Sequence, residues 1–112
     1  MPTIARGDWV EELSAFTQRN ANYPVRLEVD ATDLGAQTEA DRTVLKGVAY
    51  DHRSGDVEVM LEPDGGAHLT HAIHEPREID LLGPSGSRRE VLRIAHAGGQ
   101  TLLHILAPGA RG

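Results

Sequence analysis

Cysteine is absent from this 112-residue chain, and aromatic residues are scarce: Trp9, Phe16, Tyr23 and Tyr50 are all it has. The first absence removes disulfides, thiolate nucleophiles and cysteine-ligated zinc together, so the fold must hold without cross-links. The second leaves the interior to Val, Leu, Ile and Ala. Lysine is equally rare, Lys46 standing alone beside ten arginines. No apolar run approaches the roughly 18 residues of a membrane span. The opening Met1-Pro2-Thr3-Ile4-Ala5-Arg6 lacks the apolar stretch of a secretory signal. The expectation is a cytoplasmic protein without membrane association. The glycine-rich dinucleotide fingerprint, the Walker phosphate loop and the Gly-x-Ser-x-Gly nucleophile turn are all missing, which argues against nucleotide enzymes and serine hydrolases.

What is present is an acidic chain of formal charge −6. Such a balance repels phosphate and argues against broad nucleic-acid binding. The acids crowd residues 28–64, whereas Arg88, Arg89, Arg93 and Arg111 face only Glu90 in residues 85–112. Protonation of all six histidines below about pH 6.5 would bring the formal charge to zero. Mild acid is therefore expected to lower solubility.

The length predicts a single domain over 1–112, with a helix over about 8–20, a sheet over about 25–106 and a loose tail at 107–112. Asp8 and Glu11 have the spacing of a capping box, and Trp9, Leu13 and Phe16 form an apolar stripe that Val10 and Thr17 widen. From Val25 the period changes to two, and Val57-Glu58-Val59-Met60-Leu61 is the clearest strand signal. Gly47 inside the strand ending at Tyr50 predicts a bend or bulge, and Gly98-Gly99 a tight hairpin. The polar run Asp33 to Ala40 reads as a connection or irregular edge segment. Together these predict an α+β, mainly β domain: one N-terminal helix, then five to six bent antiparallel strands. The expected shape is a small Sm- or SH3-like barrel or half-barrel, with a helix-on-sheet roll as the rival.

Half of the histidines lie in His68-Leu69-Thr70-His71-Ala72-Ile73-His74. Read as a strand rising about 3.3 Å per residue, it puts His68 and His74 on one face, roughly 20 Å apart, and His71 on the other. His71 shares its face with Leu69 and Ile73, so it is the histidine drawn toward a core or pocket. With Gln37 and Thr38 it marks the expected ligand-binding side. A divalent metal would need His71 beside His96 or His104 together with a carboxylate, a spacing the sequence does not specify; no cofactor is expected. Arg88, Arg89 and Arg93 could contact phosphates on a strand edge, as in an Sm-like nucleic-acid binder, but no exposed aromatics accompany them for base stacking. Edge arginines equally serve to discourage sheet aggregation.

Trp9 at the helix start, Leu27-Glu28-Val29, Asp33-Leu34-Gly35-Ala36-Gln37-Thr38-Glu39-Ala40, Leu45-Lys46-Gly47, and Gly66-Ala67-His68-Leu69-Thr70-His71 with Pro76 carry a resemblance over roughly residues 8–106. By these segments the chain resembles the bacterial family of unknown function DUF5335. The resemblance implies a stand-alone small domain and transfers no catalytic residue. The expected function is a non-enzymatic protein-interaction or small-ligand-binding module, self-associating through an exposed strand edge or the apolar helix stripe. The alternatives are the Sm-like nucleic-acid binder and a histidine-dependent metal protein.

Overall fold

Alternation of apolar and polar residues governs most of the chain after residue 24, and each such run becomes a strand. A computed structural model describes residues 3–31, 35–63, 66–84, 86 and 88–107, giving the backbone alone for 31 and 35–42. Strand β1 (Thr3–Ile4) leads through a 3-10 turn (Arg6–Asp8) into helix α1 (Trp9–Asn20). Then come β2 (Pro24–Ala31), β3 (Gly35–Asp51), β4 (Asp56–Pro63), β5 (Leu69–Ile73), β6 (Pro76–Leu82), β7 (Arg88–His96) and β8 (Gly99–Leu106). No helix among the described residues is long and apolar enough to cross a membrane.

The eight strands form one antiparallel sheet in the order β1-β6-β7-β8-β2-β3-β4-β5. Five or six strands were expected. β1 is an additional one, too short to show any period. The run over Gly35 to Ala40, expected to be a connection or irregular edge segment, lengthens β3 without adding a strand, with Gly35 to Ala40 opposite Ala31 to Leu27 across an irregular register. A ladder satisfies backbone groups without requiring alternating burial, so a polar segment can be a strand with no period-two signature.

β5 and β6 lie six inter-strand steps apart in this order, yet only His74 and Glu75 separate them in the chain. In a flat sheet six steps would span about 29 Å, whereas three residues of extended chain reach about 10 Å. The sheet must therefore curl until its two ends approach at Ile73 and Pro76. Glu75 makes the turn with φ 51°, a left-handed value rare outside glycine. The near-equal extents of 34 × 32 × 30 Å agree with that curl. Among the described residues no ladder joins β5 to β6 or β1, so the sheet is an open half-barrel and does not close into the barrel that was the other expectation.

Helix α1 plugs the concave side. Trp9, Leu13 and Phe16 are buried against Val25, Leu27, Leu45, Val48, Val59, Leu92, Leu103 and Ile105, the aliphatic interior that the composition predicts. Val10, assigned to the same stripe, stays 46% exposed. The capping box does not form either. Asp8 closes the 3-10 turn with φ −102° and ψ 0°, not the extended backbone a capping side chain needs, and makes no side-chain cap bond. Other contacts hold the helix start: Trp9 Nε1 donates to the Ile4 carbonyl at 3.1 Å, and Arg6 lies 4.3 Å over the Trp9 ring while donating to the Pro76 carbonyl at 3.0 Å.

The helix also covers a sheet edge. Beyond Val44, β3 pairs with β4 alone, because β2 ends its pairing there. Thr17 Oγ accepts from the Val48 N–H at 2.9 Å and donates to the Val48 carbonyl at 3.1 Å, while Leu45 exchanges backbone bonds with Asn22 and Tyr23. The bulge expected at Gly47 lies here, between Leu45 and Gly47. A Cβ on Gly47 would meet Thr17 and Met60 side-chain atoms at 3.4 and 3.3 Å, so glycine permits the close approach. Two substitutions separate the helix contacts in urea denaturation. Leu13→Ala should lose about 3 kcal/mol by opening a cavity, and Thr17→Val about 1–3 kcal/mol by leaving both Val48 backbone groups without their partner.

Candidate functional site

Strand β5 is the last strand of the sheet order. It pairs with β4 in the register Val57↔Ile73, Val59↔His71 and Leu61↔Leu69. Directly paired residues share a face, and Val57, Val59 and Leu61 are all buried in the core. His71 thus lies on the concave face with Leu69 and Ile73, as its alternation predicts, and is half-buried. The strand is shorter than expected: His68 and His74 flank it and do not belong to it. Each is tied to β4, His68 Nε2 to Glu62 Oε1 at 3.1 Å and His74 Nδ1 to Asp56 Oδ2 at 3.1 Å.

His96 on β7 shares the face of the buried Ile94, and its Nε2 lies 3.0 Å from Thr101 Oγ. Burial pushes its pKa below the ordinary histidine value, and the nearby His71 pushes it the same way against a backbone hydrogen bond at Gln100. The curl has brought His71 and His96 within electrostatic reach. His104 belongs elsewhere. It lies on the face of β8 opposite the core residues Leu103 and Ile105, with Nδ1 accepting from Arg88 Nε at 2.8 Å and Nε2 3.3 Å from Glu28 Oε1. Burial lowers its pKa, the charges of Arg88 and Arg26 adding to the effect and Glu28 opposing it. The pairing of His71 with His104 considered for a metal is therefore not made. Among the described residues no three His, Cys, Asp or Glu side chains converge as metal ligands.

The convex face of β6–β8 carries a second polar set, centred on the fully buried Asp80. Thr3 Oγ and Arg93 Nη1 both donate to its carboxylate, and Arg93 also reaches Gln100 Oε1 at 2.7 Å and Glu78 Oε1 at 3.3 Å. The Thr3 hydrogen bond, outweighing burial with help from Arg93, holds the Asp80 pKa below the usual carboxylate value. Sequence alternation gave no sign of this, since Asp80 between Ile79 and Leu81 reads as a solvent-facing position.

At the end of the half-barrel where α1 terminates, a groove of about 680 Å³ is lined by Arg19, Leu81, Leu82, Pro84, Arg88, Arg89, Glu90 and Ala107, among others. Arg19 pairs with Glu90 through contacts of 2.9 and 3.3 Å, and Asn20 Nδ2 donates to the same carboxylate at 2.7 Å. Burial alone would raise the Glu90 pKa, but the Arg19 and Asn20 hydrogen bonds and the charges of Arg19 and Arg89 bring it below the ordinary value. Arg89 lies 4.3 Å over the Tyr23 ring.

The structure thus brings Arg88 and Arg89 to one groove and separates Arg93, which is engaged with Asp80. Gln37 and Thr38 fall on the half of β3 that pairs with β2, opposite Val29 and Glu28, and their side chains lie outside the described residues. Arg19, Leu82 and Glu90 were not expected at a site, because a groove formed by a helix end and a strand end has no local sequence pattern.

His96 and His104 both favour the neutral form in the fold, so the unfolded chain takes up protons first as pH falls through about 6.5. Stability is full above that value and declines below it until the folded pKa values are passed. The urea midpoint should accordingly drop between about pH 8 and about pH 5.5, and the double substitution His96→Gln/His104→Gln should flatten that dependence. Charge neutrality also shifts below the pH expected for six ordinary histidines.

Comparison with curated proteins and with solved structures returned no match. A family model matches residues 1–111, extending at both ends the segments noted in the sequence, and so the chain belongs to the family of unknown function DUF5335.

Proposed function

We propose that this domain is a non-enzymatic interaction module that pairs with a second copy of itself along β5. The observation carrying this reading is the contrast between edges. β1, at the other end of the sheet, has two residues, the side of β3 beyond Val44 is covered by α1, and the first part of β3, which pairs with β2 alone, carries Glu39, Asp41 and Arg42. β5 has five residues, pairs on one side among the described residues, and contains no Lys, Arg, Asp, Glu or Pro to discourage strand addition. Its Leu69 is 46% exposed, with Val10 the most exposed large apolar side chain among the described residues. The flanking His68–Glu62 and His74–Asp56 contacts tie both ends of the strand to β4, which limits the ordering cost of adding a partner.

An antiparallel pairing about a two-fold axis at His71 would set Leu69 beside the partner's Ile73 and Thr70 beside the partner's Ala72. This is a self-complementary arrangement. The apolar helix stripe, the other surface considered for self-association, is consumed by the domain's own core. The nucleic-acid alternative loses the three-arginine strand edge it relied on, because Arg93 is engaged with Asp80 and only Arg88 and Arg89 share a groove.

Sedimentation equilibrium from micromolar to millimolar protein tests the reading. The wild type should shift toward twice the monomer mass, and Thr70→Lys/Ala72→Lys, which sets like charges opposite one another across the axis, should remain monomeric. A wild type that stays monomeric at millimolar concentration, or a double variant that dimerises as readily, overturns it.

A further inference from the structure

The groove beside the C-terminal end of α1 has a charge that the rest of the chain does not share. Three guanidiniums, Arg19, Arg88 and Arg89, line it against the single carboxylate of Glu90. Arg19 is spent on that carboxylate. Among the described residues the Arg88 side chain has only the neutral-favouring His104 as a hydrogen-bond partner, Arg89 has only Asn20, at 3.5 Å, besides the Tyr23 ring, and neither forms an ion pair. Each uses its Nε in these contacts, which leaves the terminal nitrogens of both forks for another acceptor. A surplus of two positive charges in a chain of net −6 is a local inversion of the protein's field. The remaining lining, Leu81, Leu82, Pro84 and Ala107, is apolar.

We infer that this groove binds an amphipathic anion, with a phosphate or carboxylate head held by Arg88 and Arg89 and an apolar body laid along Leu81, Leu82, Pro84 and Ala107. Guanidinium forks match the paired oxygens of both heads, and the two contacts that tie down Arg88 and Arg89 pre-order them for that task. The volume falls within the range of small-molecule sites, which combine an apolar lining with a few placed polar groups. The ligand class requires both halves of the groove. A bare anion would leave the apolar wall uncovered, and a neutral apolar molecule would leave two guanidiniums facing it. The inference is independent of pairing through β5, which contributes no residue to this groove.

Titration of the full chain with octyl phosphate, octanoate, inorganic phosphate and octanol, followed by amide chemical shifts, tests it. At least one octyl anion should give saturable shifts centred on Leu82, Gly83, Arg89 and Ala107, with affinity about tenfold or more above that of inorganic phosphate or octanol. Whichever octyl anion binds more tightly identifies the head group. Arg89→Gln should weaken that anion about tenfold, and Leu82→Glu, which brings a negative charge to the apolar wall without touching the arginines, should do the same. Retained spectral dispersion reports folding in each, and Leu82→Glu keeps the test decisive should loss of the Tyr23 contact unfold the first. No saturable shift with either octyl anion, equal binding of inorganic phosphate, or unchanged affinity in the folded variants overturns the inference.

Discussion

The link between β5 and β6 imposes the constraint on which the rest of this structure depends. Two residues, His74 and Glu75, join strands at widely separated places in the sheet order, and no flat sheet can accommodate them. Curling is therefore compulsory, and a curled sheet has a concave side that must be filled. The chain fills it with one helix bearing two of its four aromatic residues, Trp9 and Phe16, and with one to three aliphatic residues from each of β2 to β8. That explains how so aromatic-poor a sequence makes a continuous core: small branched side chains converge from a curved wall onto a few large ones. The Arg6 contacts to Pro76 and Trp9 then fasten the helix start to the strand that follows the link.

A sheet curled this tightly has a convex face as well, and there the polar groups are not simply solvated. Asp80 is buried beneath Thr3 and Arg93, and His104 lies between Arg88 and Glu28. Burying a carboxylate is tolerable only because a donor hydroxyl and a guanidinium reach it from neighbouring strands. These cross-strand rows tie β1, β6 and β7 together on one level and β7, β8 and β2 on another. They also engage Arg93, which a reading of the sequence would leave free for an external partner.

Strand periodicity and the helical stripe were legible because they record burial, and burial follows from the one-dimensional pattern. The pairs Val57, Val59, Leu61 and Leu69, His71, Ile73 were assigned their faces correctly on that basis. The first part of β3 was not, since its residues are held by a backbone ladder that leaves no compositional trace. The capping box at Asp8 failed for a related reason: the spacing was right, but the chain enters the helix through a 3-10 turn that denies the side chain its geometry. The groove was hidden altogether. Arg19 and Arg88 are far apart in sequence, and only the docking of α1 against the end of β7 places them together.

Charge asymmetry along the chain becomes charge asymmetry in space through the same topology. The sheet is two meanders joined at β8 and β2, so that β6, β7 and β8 occupy one half and β2, β3, β4 and β5 the other. The acid-rich residues 28–64 fall on the second half and the arginine-rich residues from 88 onward on the first. An approaching anion is thus repelled by one half of the sheet and drawn to the other, which favours arrival at the end where helix α1 terminates.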